Sequence, residues 1–181
     1  MSTPCRDANP ATAATAALIP AHAGSYALWL VAAQRRRLTI GSLGALAVQP
    51  GFYVYTGSAH GPGGLRARLR HHLGRTHRLH WHVDYLRRAT QPVEIWCSDD
   101  NAVSEHAWSA LFAATAGASL PLRGFGASDC DCPSHLFHFS RMPDHAALAA
   151  QLRAATRARR PFLRFSAKEA VLPVAAPVPR A

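Results

Sequence analysis

Apolar residues gather in short runs along the middle of the chain, and these runs predict β-strands. Residues Tyr26–Val31 form an apolar run that predicts a buried strand, and Leu38–Ile40, after an arginine turn, predicts its hairpin partner. The segment Gly51–Thr56 is rich in aromatic and β-branched residues and predicts a third strand. Val93–Cys97 alternates as a strand does, and Leu136–Phe139 predicts a final strand.

A helix is predicted directly after a glycine-rich loop. Residues Gly57–Gly64 interrupt the strand pattern, and Leu65, Leu69 and Leu73 then recur at intervals of four residues. That spacing places the three leucines on one face of the helix and predicts a buried stripe. Gly41–Pro50, which precedes the third strand, is predicted as a loop with a short apolar stretch.

Two more helices are predicted nearer the C-terminus. The segment Asp99–Asn101 supplies N-cap candidates for a helix over about residues 102–116, and an Ala/Arg helix is predicted over residues 144–160. His80–Leu86 fits either a strand or a helix. Together these elements predict the α+β class, with a small antiparallel or mixed sheet of about three core strands plus extra strands, flanked by helices.

Composition divides the chain into a central domain and two flanking segments. Residues 1–22 lack an amphipathic period and carry Pro10 and Pro20, which predicts a flexible leader. The domain is expected over residues 23–141, followed over residues 142–181 by the basic Ala/Arg helix and a proline-rich tail. No apolar run approaches the roughly 20 residues needed to cross a bilayer, so a soluble protein with no membrane partner is expected.

The charge balance indicates a polyanionic partner. Lysine and arginine total 20 against 10 acidic residues, which gives a net charge of +10 at pH 7, and every cation except Lys168 is arginine. The guanidinium group presents a planar fork of donors that matches phosphate, and nucleic acid is the commonest cellular polyanion. An arginine-rich composition caused by codon bias is the alternative.

The four cysteines do not make a disulfide framework, and no signal peptide is recognisable, which favours a cytoplasmic protein with reduced thiols.

Arginines concentrate between residues 55 and 88, where Asp84 is the single acid. Arg68 and His72 lie four positions apart and therefore share a face of the predicted helix, beside its leucine stripe. A phosphate could be bound at such a rim between core and solvent, and an ordinary solvated basic face is the alternative. Five further arginines are predicted to bind nucleic acid: Arg66, Arg70, Arg75, Arg78 and Arg87.

Short motifs in this region resemble the GIY-YIG nuclease superfamily. Gly24-Ser25-Tyr26 and Tyr55-Thr56-Gly57 are similar to its two strand motifs, and Arg68 and His72 follow in the next helix. Three longer stretches are similar to a domain-of-unknown-function branch of that superfamily, which in some archaea is fused to an endonuclease III-type DNA glycosylase: Gly51–Leu73, His80–Leu86 and Gly124–Leu136.

The resemblance implies an enzyme that cleaves phosphodiester bonds with one divalent ion, Mg²⁺ or Mn²⁺. It implies Tyr55 as the general base or water activator, Tyr26 as the first-motif tyrosine, and Arg68 and His72 as helix residues of the same site. Glu105 matches the metal-binding glutamate; alternatively, an acid in a first helical turn simply complements the helix dipole. DNA is the expected substrate rather than RNA, in repair or processing, with a DNA-repair protein as a further partner.

A loop that carries cysteine and histidine is a second candidate site. Cys130, Cys132 and His135 are residue types that zinc accepts, but the motif lacks a fourth ligand and would have to recruit Cys97. Zinc is therefore not expected, and a tightly turned loop is predicted. In the resembled branch this loop would help to wall the active site, and four residues are expected at that wall: His82, Asp84, Ser128 and Asp129.

Three functions are open on the sequence alone. A metal-dependent endonuclease is favoured, because tyrosine, arginine, histidine and glutamate all occur at matching positions. A nucleic-acid-binding module that keeps the fold and the charge without cleavage is the first alternative. A zinc-stabilised interaction protein is the second alternative.

Overall fold

Strands and helices are interspersed along the computed structural model, which describes residues 19–74 and 79–167. The strands are β1 (Gly24–Ala32), β2 (Arg36–Thr39), β3 (Ala45–Val48), β4 (Gly51–Ala59), β5 (Gln91–Ser98), β6 (Leu136–Phe139) and β7 (Leu163–Ser166). The helices are α1 (Gly64–Leu73), α2 (His82–Leu86), α3 (Glu105–Ala114) and α4 (His145–Thr156), with a 3-10 turn at Gly41–Leu43. The predicted α+β class is confirmed. Within the described ranges, no helix combines the length and the apolar character that a membrane crossing requires.

The main sheet is antiparallel and places β1 at its centre. The strand order is β6-β4-β1-β5-β7, and β1 pairs with β4 from Gly24 opposite Ala59 to Ala32 opposite Gly51. The predicted hairpin between β1 and Leu38–Ile40 is wrong: β2 instead pairs with β3, which lies in the segment predicted as a loop. The short β2 is mostly exposed, whereas β4 has nine residues and a buried middle and so matches the buried length of β1.

Each face of the main sheet packs against its own hydrophobic core. On β1, Tyr26, Leu28 and Leu30 belong to the first core, and Ala27 and Trp29 belong to the second. Residues of α1, α2 and β3 complete the first core, whereas α3 and α4 complete the second, which is rich in tryptophan and phenylalanine. Because both of its faces are covered, β1 is apolar at consecutive positions rather than at alternate ones.

Local capping decides where α3 begins. The Oγ of Ser104 accepts the backbone N–H of Ala107 at 3.2 Å and caps the helix. The predicted caps at Asp99–Asn101 are therefore wrong. Asp100 accepts backbone N–H groups from its own turn and from the segment after α4, and these bonds hold it away from the helix start. The segment His80–Leu86, whose pattern fitted either a strand or a helix, contains α2, the short helix that carries Asp84.

The same fold continues beyond both ends of the predicted domain. Leu148 and Leu152 of α4 lie in the second core, and β7 pairs with β5, so the core and the sheet extend past residue 141. At the other end Ile19 is buried, and the carbonyl oxygens of Pro20 and His22 accept backbone N–H groups from the first turn of α1. The rest of the predicted leader and the proline-rich tail lie outside the described residues.

Candidate active site and adjoining metal centre

A cleft of about 400 Å³ contains the main residues that the sequence motifs single out. It is lined by Tyr26 of β1, Tyr55 of β4, Arg68 of α1 and Glu105, the first residue of α3. These four residues belong to four elements that are well separated along the chain. Only the packing of these elements brings the side chains together.

Strand register places both tyrosines on the same face of the sheet. Tyr26 lies opposite Gly57 in the β1–β4 pair, and Tyr55 is two residues before Gly57 on β4. The ring centroids of the two tyrosines are 6.2 Å apart. A Cβ at Gly57 would lie 2.5 Å from the Tyr26 hydroxyl oxygen, and a Cβ at Gly126 would lie 2.8 Å from Tyr55 Cε2. Both tyrosine rings therefore require a glycine beside them.

Tyr26, His72 and Asp84 form a buried chain of polar groups behind the cleft. The Tyr26 hydroxyl oxygen lies 2.8 Å from His72 Nε2, and His72 Nδ1 lies 3.5 Å from Asp84 Oδ1. Neither His72 Nδ1 nor Asp84 Oδ1 makes a hydrogen bond in the described part of the chain, so these two buried atoms face each other as a longer polar contact. An ionised carboxylate can only accept, so it favours the tautomer of His72 with the proton on Nδ1. His72 Nε2 then accepts the hydrogen bond that Tyr26 donates.

The carboxylate of Asp84 is held by several donors. Its Oδ2 accepts the backbone N–H groups of His80 at 3.0 Å and Trp81 at 2.9 Å, and it lies 3.3 Å from His71 Nε2. Burial raises the pKa of this carboxyl, but His72 and the backbone donors outweigh burial and bring the pKa below its ordinary value of 3.8. Asp84 was expected at the wall of the cleft, but it does not line the cleft. It is buried behind His72, where these donors hold it.

Burial sets the protonation states at the site. It raises the pKa of Tyr26 and of Tyr55 above the ordinary value of 10, and Arg68 offsets only part of each rise. Burial also lowers the pKa of His72 below 6.5, against the opposing effect of Asp84. At neutral pH both tyrosines are therefore protonated and His72 is neutral, which is the state in which Tyr26 donates to His72.

Arg68 and Glu105 bring opposite charges to the cleft. The guanidinium carbon of Arg68 lies 4.3 Å from the centre of the Trp81 ring, a cation–π contact that orients the guanidinium fork. Trp81 was not singled out in the sequence, although it lies between two histidines in a motif of the resemblance. Glu105 lies in the first turn of α3, at the end of the helix that attracts anions, and its side chain is 21% exposed.

The remaining residues expected at the wall come from α2 and from the loop between α3 and β6. His82, Ser128 and Asp129 all line the cleft. His82 Nδ1 accepts the backbone N–H of Gly126 at 2.9 Å, and this bond ties α2 to the loop. The loop is therefore held where its carboxylate, Asp129, faces the same space as Glu105.

Three of the five arginines predicted to bind nucleic acid lie in the described part of the chain, and they occupy two separate regions. Arg66 and Arg70 are both exposed on α1, four positions apart, and Arg66 also donates through Nε to the carbonyl oxygen of Ile19 at 2.9 Å. Arg87 lines a separate groove of about 820 Å³, none of whose lining residues belongs to the active-site cleft. The other two predicted positions, Arg75 and Arg78, lie outside the described residues.

Two cysteines and two histidines form a cluster beside the cleft. Cys130, Cys132 and His135 of the loop meet His106 of α3, and one ligand atom from each residue lies within 4.8 Å of the ligand atoms of the others. Cys97 does not join them: it is buried in the first core, where burial raises the pKa of its thiol to about 12. Sequence reasoning missed His106, although it directly follows Glu105.

Comparison with known proteins identifies the family of this chain. No curated protein and no solved structure matches it. The family model described as "Domain of unknown function DUF123" matches residues 25–158. The matched range runs from β1 to the end of α4, and it includes the cleft, the buried polar chain behind it and the cysteine–histidine cluster. Since the match covers well over half of the sequence, the chain belongs to the family described as Domain of unknown function DUF123.

Proposed function

We propose that this protein is a metal-dependent nuclease that cleaves phosphodiester bonds in DNA, in repair or processing. The observation that carries the proposal is the convergence of Tyr26, Tyr55, Arg68 and Glu105 on one cleft. These are the residues that the resemblance to GIY-YIG nucleases implies. The net charge of +10 supports the proposal, because it favours the approach of a polyanion.

The buried polar chain offers a path for the proton of the attacking water. When the water oxygen bonds to phosphorus and the bond to the leaving oxygen breaks, Tyr26 takes the proton of the water and passes its own proton to His72 Nε2. Asp84 stabilises the imidazolium that results. Because the two transfers are concerted, Tyr26 does not have to ionise first, and its raised pKa is not an obstacle.

Tyr55 and Arg68 act on the phosphate and the water. His72 accepts its hydrogen bond from Tyr26, so the hydroxyl of Tyr55 serves to orient the water or to donate to a phosphate oxygen. Arg68 presents a fork of donors that matches two phosphate oxygens, and its contact with Trp81 reduces the freedom of that fork. Donors placed in this way stabilise the charge that develops on the phosphate in the transition state.

The oxygen donors at the cleft fit one hard divalent cation. Glu105 and Asp129 supply carboxylate oxygens, which are the ligands that Mg²⁺ and Mn²⁺ prefer, and the cleft has room for the waters that Mg²⁺ retains. Glu105 would hold the ion, with Asp129 as the second protein donor in reach of the same space. When bound, the ion would neutralise charge on the phosphate and on the leaving oxygen.

A cleavage assay on defined nucleic acids tests the proposal. Branched, nicked, single-stranded and abasic DNA substrates, with an RNA of matched sequence, are incubated with the full-length protein and Mg²⁺ or Mn²⁺. We expect cleavage of at least one DNA substrate and none of the RNA. Tyr26→Phe should reduce the rate by about 10²–10⁴-fold, because it removes the proton acceptor while keeping the ring.

A charge-matched pair of variants separates catalysis from binding. Glu105→Gln should abolish cleavage and leave affinity for DNA intact, since removing one acid from a protein of charge +10 cannot weaken anion binding. Glu94→Gln removes the same charge on β5, where Glu94 pairs with Arg164 rather than facing the cleft, and should cleave normally. If the wild-type protein binds DNA but does not cleave it, the nuclease proposal is wrong and the protein is a nucleic-acid-binding module. If Glu105→Gln and Tyr26→Phe cleave at the wild-type rate, this cleft is not the site of the reaction.

A further inference from the structure

The cysteine–histidine cluster has the composition and spacing of a closed metal site. Two thiols and two imidazoles are supplied by Cys130, Cys132, His135 and His106. His106 Nδ1 lies 3.2 Å from Cys132 Sγ, and Cys130 Sγ lies 3.3 Å from His135 Nε2. In a tetrahedral zinc site with Zn–S of about 2.3 Å and Zn–N of about 2.0 Å, a sulfur and a nitrogen ligand are about 3.5 Å apart. The two measured pairs are close to that spacing.

We propose that these four residues bind one structural Zn²⁺ ion. Zinc has no geometric preference from its d-electrons and accepts a tetrahedral set of two thiolates and two imidazoles. Four protein ligands leave no open position for water, which distinguishes a structural site from a catalytic one. The proposal does not rest on the nuclease function, because the ligands and their spacing stand independently of any substrate.

The backbone around the cluster presents the loop ligands in a fixed arrangement. The loop closes through Gly124 N–H to the carbonyl of Pro133 at 2.8 Å and His135 N–H to the carbonyl of Phe125 at 2.7 Å. The carbonyl of His135 also accepts the N–H of Thr56 on β4 at 2.9 Å. These bonds hold the cysteine-bearing turn against the sheet before any metal binds, and preorganisation of this kind favours binding.

The proposed ion would add a second link between the loop and α3, which Ser109 Oγ already joins by donating to the carbonyl oxygen of Ser134 at 2.9 Å. Cys130, Cys132 and His135 lie on the loop between α3 and β6, whereas His106 lies in the first turn of α3. The loop contains no regular helix or strand between α3 and β6. Its position therefore depends on individual hydrogen bonds, such as those that close it and join it to β4. A zinc ion would clamp this loop to the N-terminus of α3, and the same loop carries Asp129 at the cleft.

The ligand on α3 also links the proposed zinc site to Glu105. His106 offers Nδ1 to the cluster, and its Nε2 lies 3.9 Å from Glu105 Oε1. A histidine that binds zinc through one nitrogen carries a proton on the other, commonly directed at a carboxylate. Zinc binding would therefore restrict the side chain of Glu105 at the cleft. It would also restrict the loop between α3 and β6, which forms a wall of the cleft.

Metal content of the purified protein tests the site directly. The full-length chain is purified under reducing conditions, and zinc is measured by elemental analysis in the absence of nucleic acid. We expect about one zinc ion per chain. Cys130→Ser and Cys132→Ser should each bring the zinc content close to zero, whereas Cys97→Ala, which removes a thiol from the first core, should keep it. His106→Gln should lose zinc, and His60→Gln, an exposed histidine outside the cluster, should not.

A spectroscopic measurement on the wild-type protein keeps the test independent of variant folding. Chelated protein is titrated with Co²⁺, whose absorption reports tetrahedral thiolate coordination, and then with Zn²⁺, which should displace it at one equivalent. The Zn²⁺-loaded protein should also have a higher Tm than the chelated protein. Absence of the thiolate–Co²⁺ bands, or a Cys130–Cys132 disulfide in the reduced preparation, would overturn the proposal. Zinc binding by a protein that cleaves no DNA would leave this site standing and the nuclease proposal refuted.

Discussion

Replacing Asp84 with asparagine tests the buried chain behind the cleft. Asparagine keeps the size and shape of the side chain but replaces one acceptor oxygen with a donor NH₂ group. The remaining oxygen would stay with the backbone N–H groups of His80 and Trp81, which are the shortest bonds that Asp84 accepts. The NH₂ group would then face His72 Nδ1, at the position now held by Asp84 Oδ1.

The expected loss of stability follows from these bonds. A hydrogen bond to a charged group contributes about 1.5–3 kcal/mol, against about 0.5–1.5 kcal/mol for a neutral one. Two backbone bonds change from charged to neutral, so Asp84→Asn should lower the free energy of unfolding by about 2 kcal/mol at pH 7. The contact with His71 adds little, because that side chain is 30% exposed.

The substitution should also reverse the hydrogen bond between Tyr26 and His72. With a donor facing Nδ1, the imidazole must carry its proton on Nε2, and Nε2 then donates to Tyr26 instead of accepting from it. Tyr26 would lose the acceptor for its proton, so cleavage should fall by at least about 100-fold, as expected when a general base is lost. The fall in the cleavage rate should be larger than the lower stability of the variant can account for.

Two measurements check these expectations separately. Urea denaturation gives the change in the free energy of unfolding, and ¹H–¹⁵N spectra of the imidazoles, assigned with His72→Gln, give the tautomer of His72. Asp131→Asn, which removes an exposed acid, is the matched control and should change neither. The reasoning is refuted if His72 keeps its proton on Nδ1 in Asp84→Asn, or if that variant is as stable as the control.

Other predictions concern packing and pH. Gly126→Ala should cost about 1–3 kcal/mol in urea denaturation, because its Cβ would lie 2.8 Å from Tyr55 Cε2 at a φ of +73°; an unchanged midpoint would contradict this. Ile19→Ala should lower the free energy of unfolding by about 2–4 kcal/mol, because Ile19 is 2% exposed. An unchanged free energy of unfolding would indicate that Ile19 belongs to a flexible leader and not to the core. Stability should fall as the pH drops below 6.5, because His72 gains a proton more readily in the unfolded chain than in the folded protein. It should fall again below 3.8, because Asp84 also gains a proton more readily in the unfolded chain. A denaturation midpoint that stays constant from pH 7 to pH 3 would refute both assignments.

Local patterns in the sequence were sufficient for the elements that carry the site. The apolar run at Tyr26–Val31 and the aromatic run at Gly51–Thr56 correspond to the two central strands, and the leucine stripe corresponds to α1. Each of these patterns depends on neighbouring residues alone, since period and composition decide whether a segment buries one face or two. The α+β class follows from the same patterns, and the motifs suggested which tyrosine, arginine and glutamate residues to look for.

Pairing and convergence were decided only by the tertiary structure. The sequence placed β2 beside β1, but β1 pairs with β4 because that long buried strand covers its whole length. Asp84 proved to be a buried partner of His72, and His106 proved to be the fourth member of the cysteine–histidine cluster. These relations join residues that are distant along the chain, so no local period encodes them. They exist because strand register and the packing of helices on both sheet faces fix where each side chain lies.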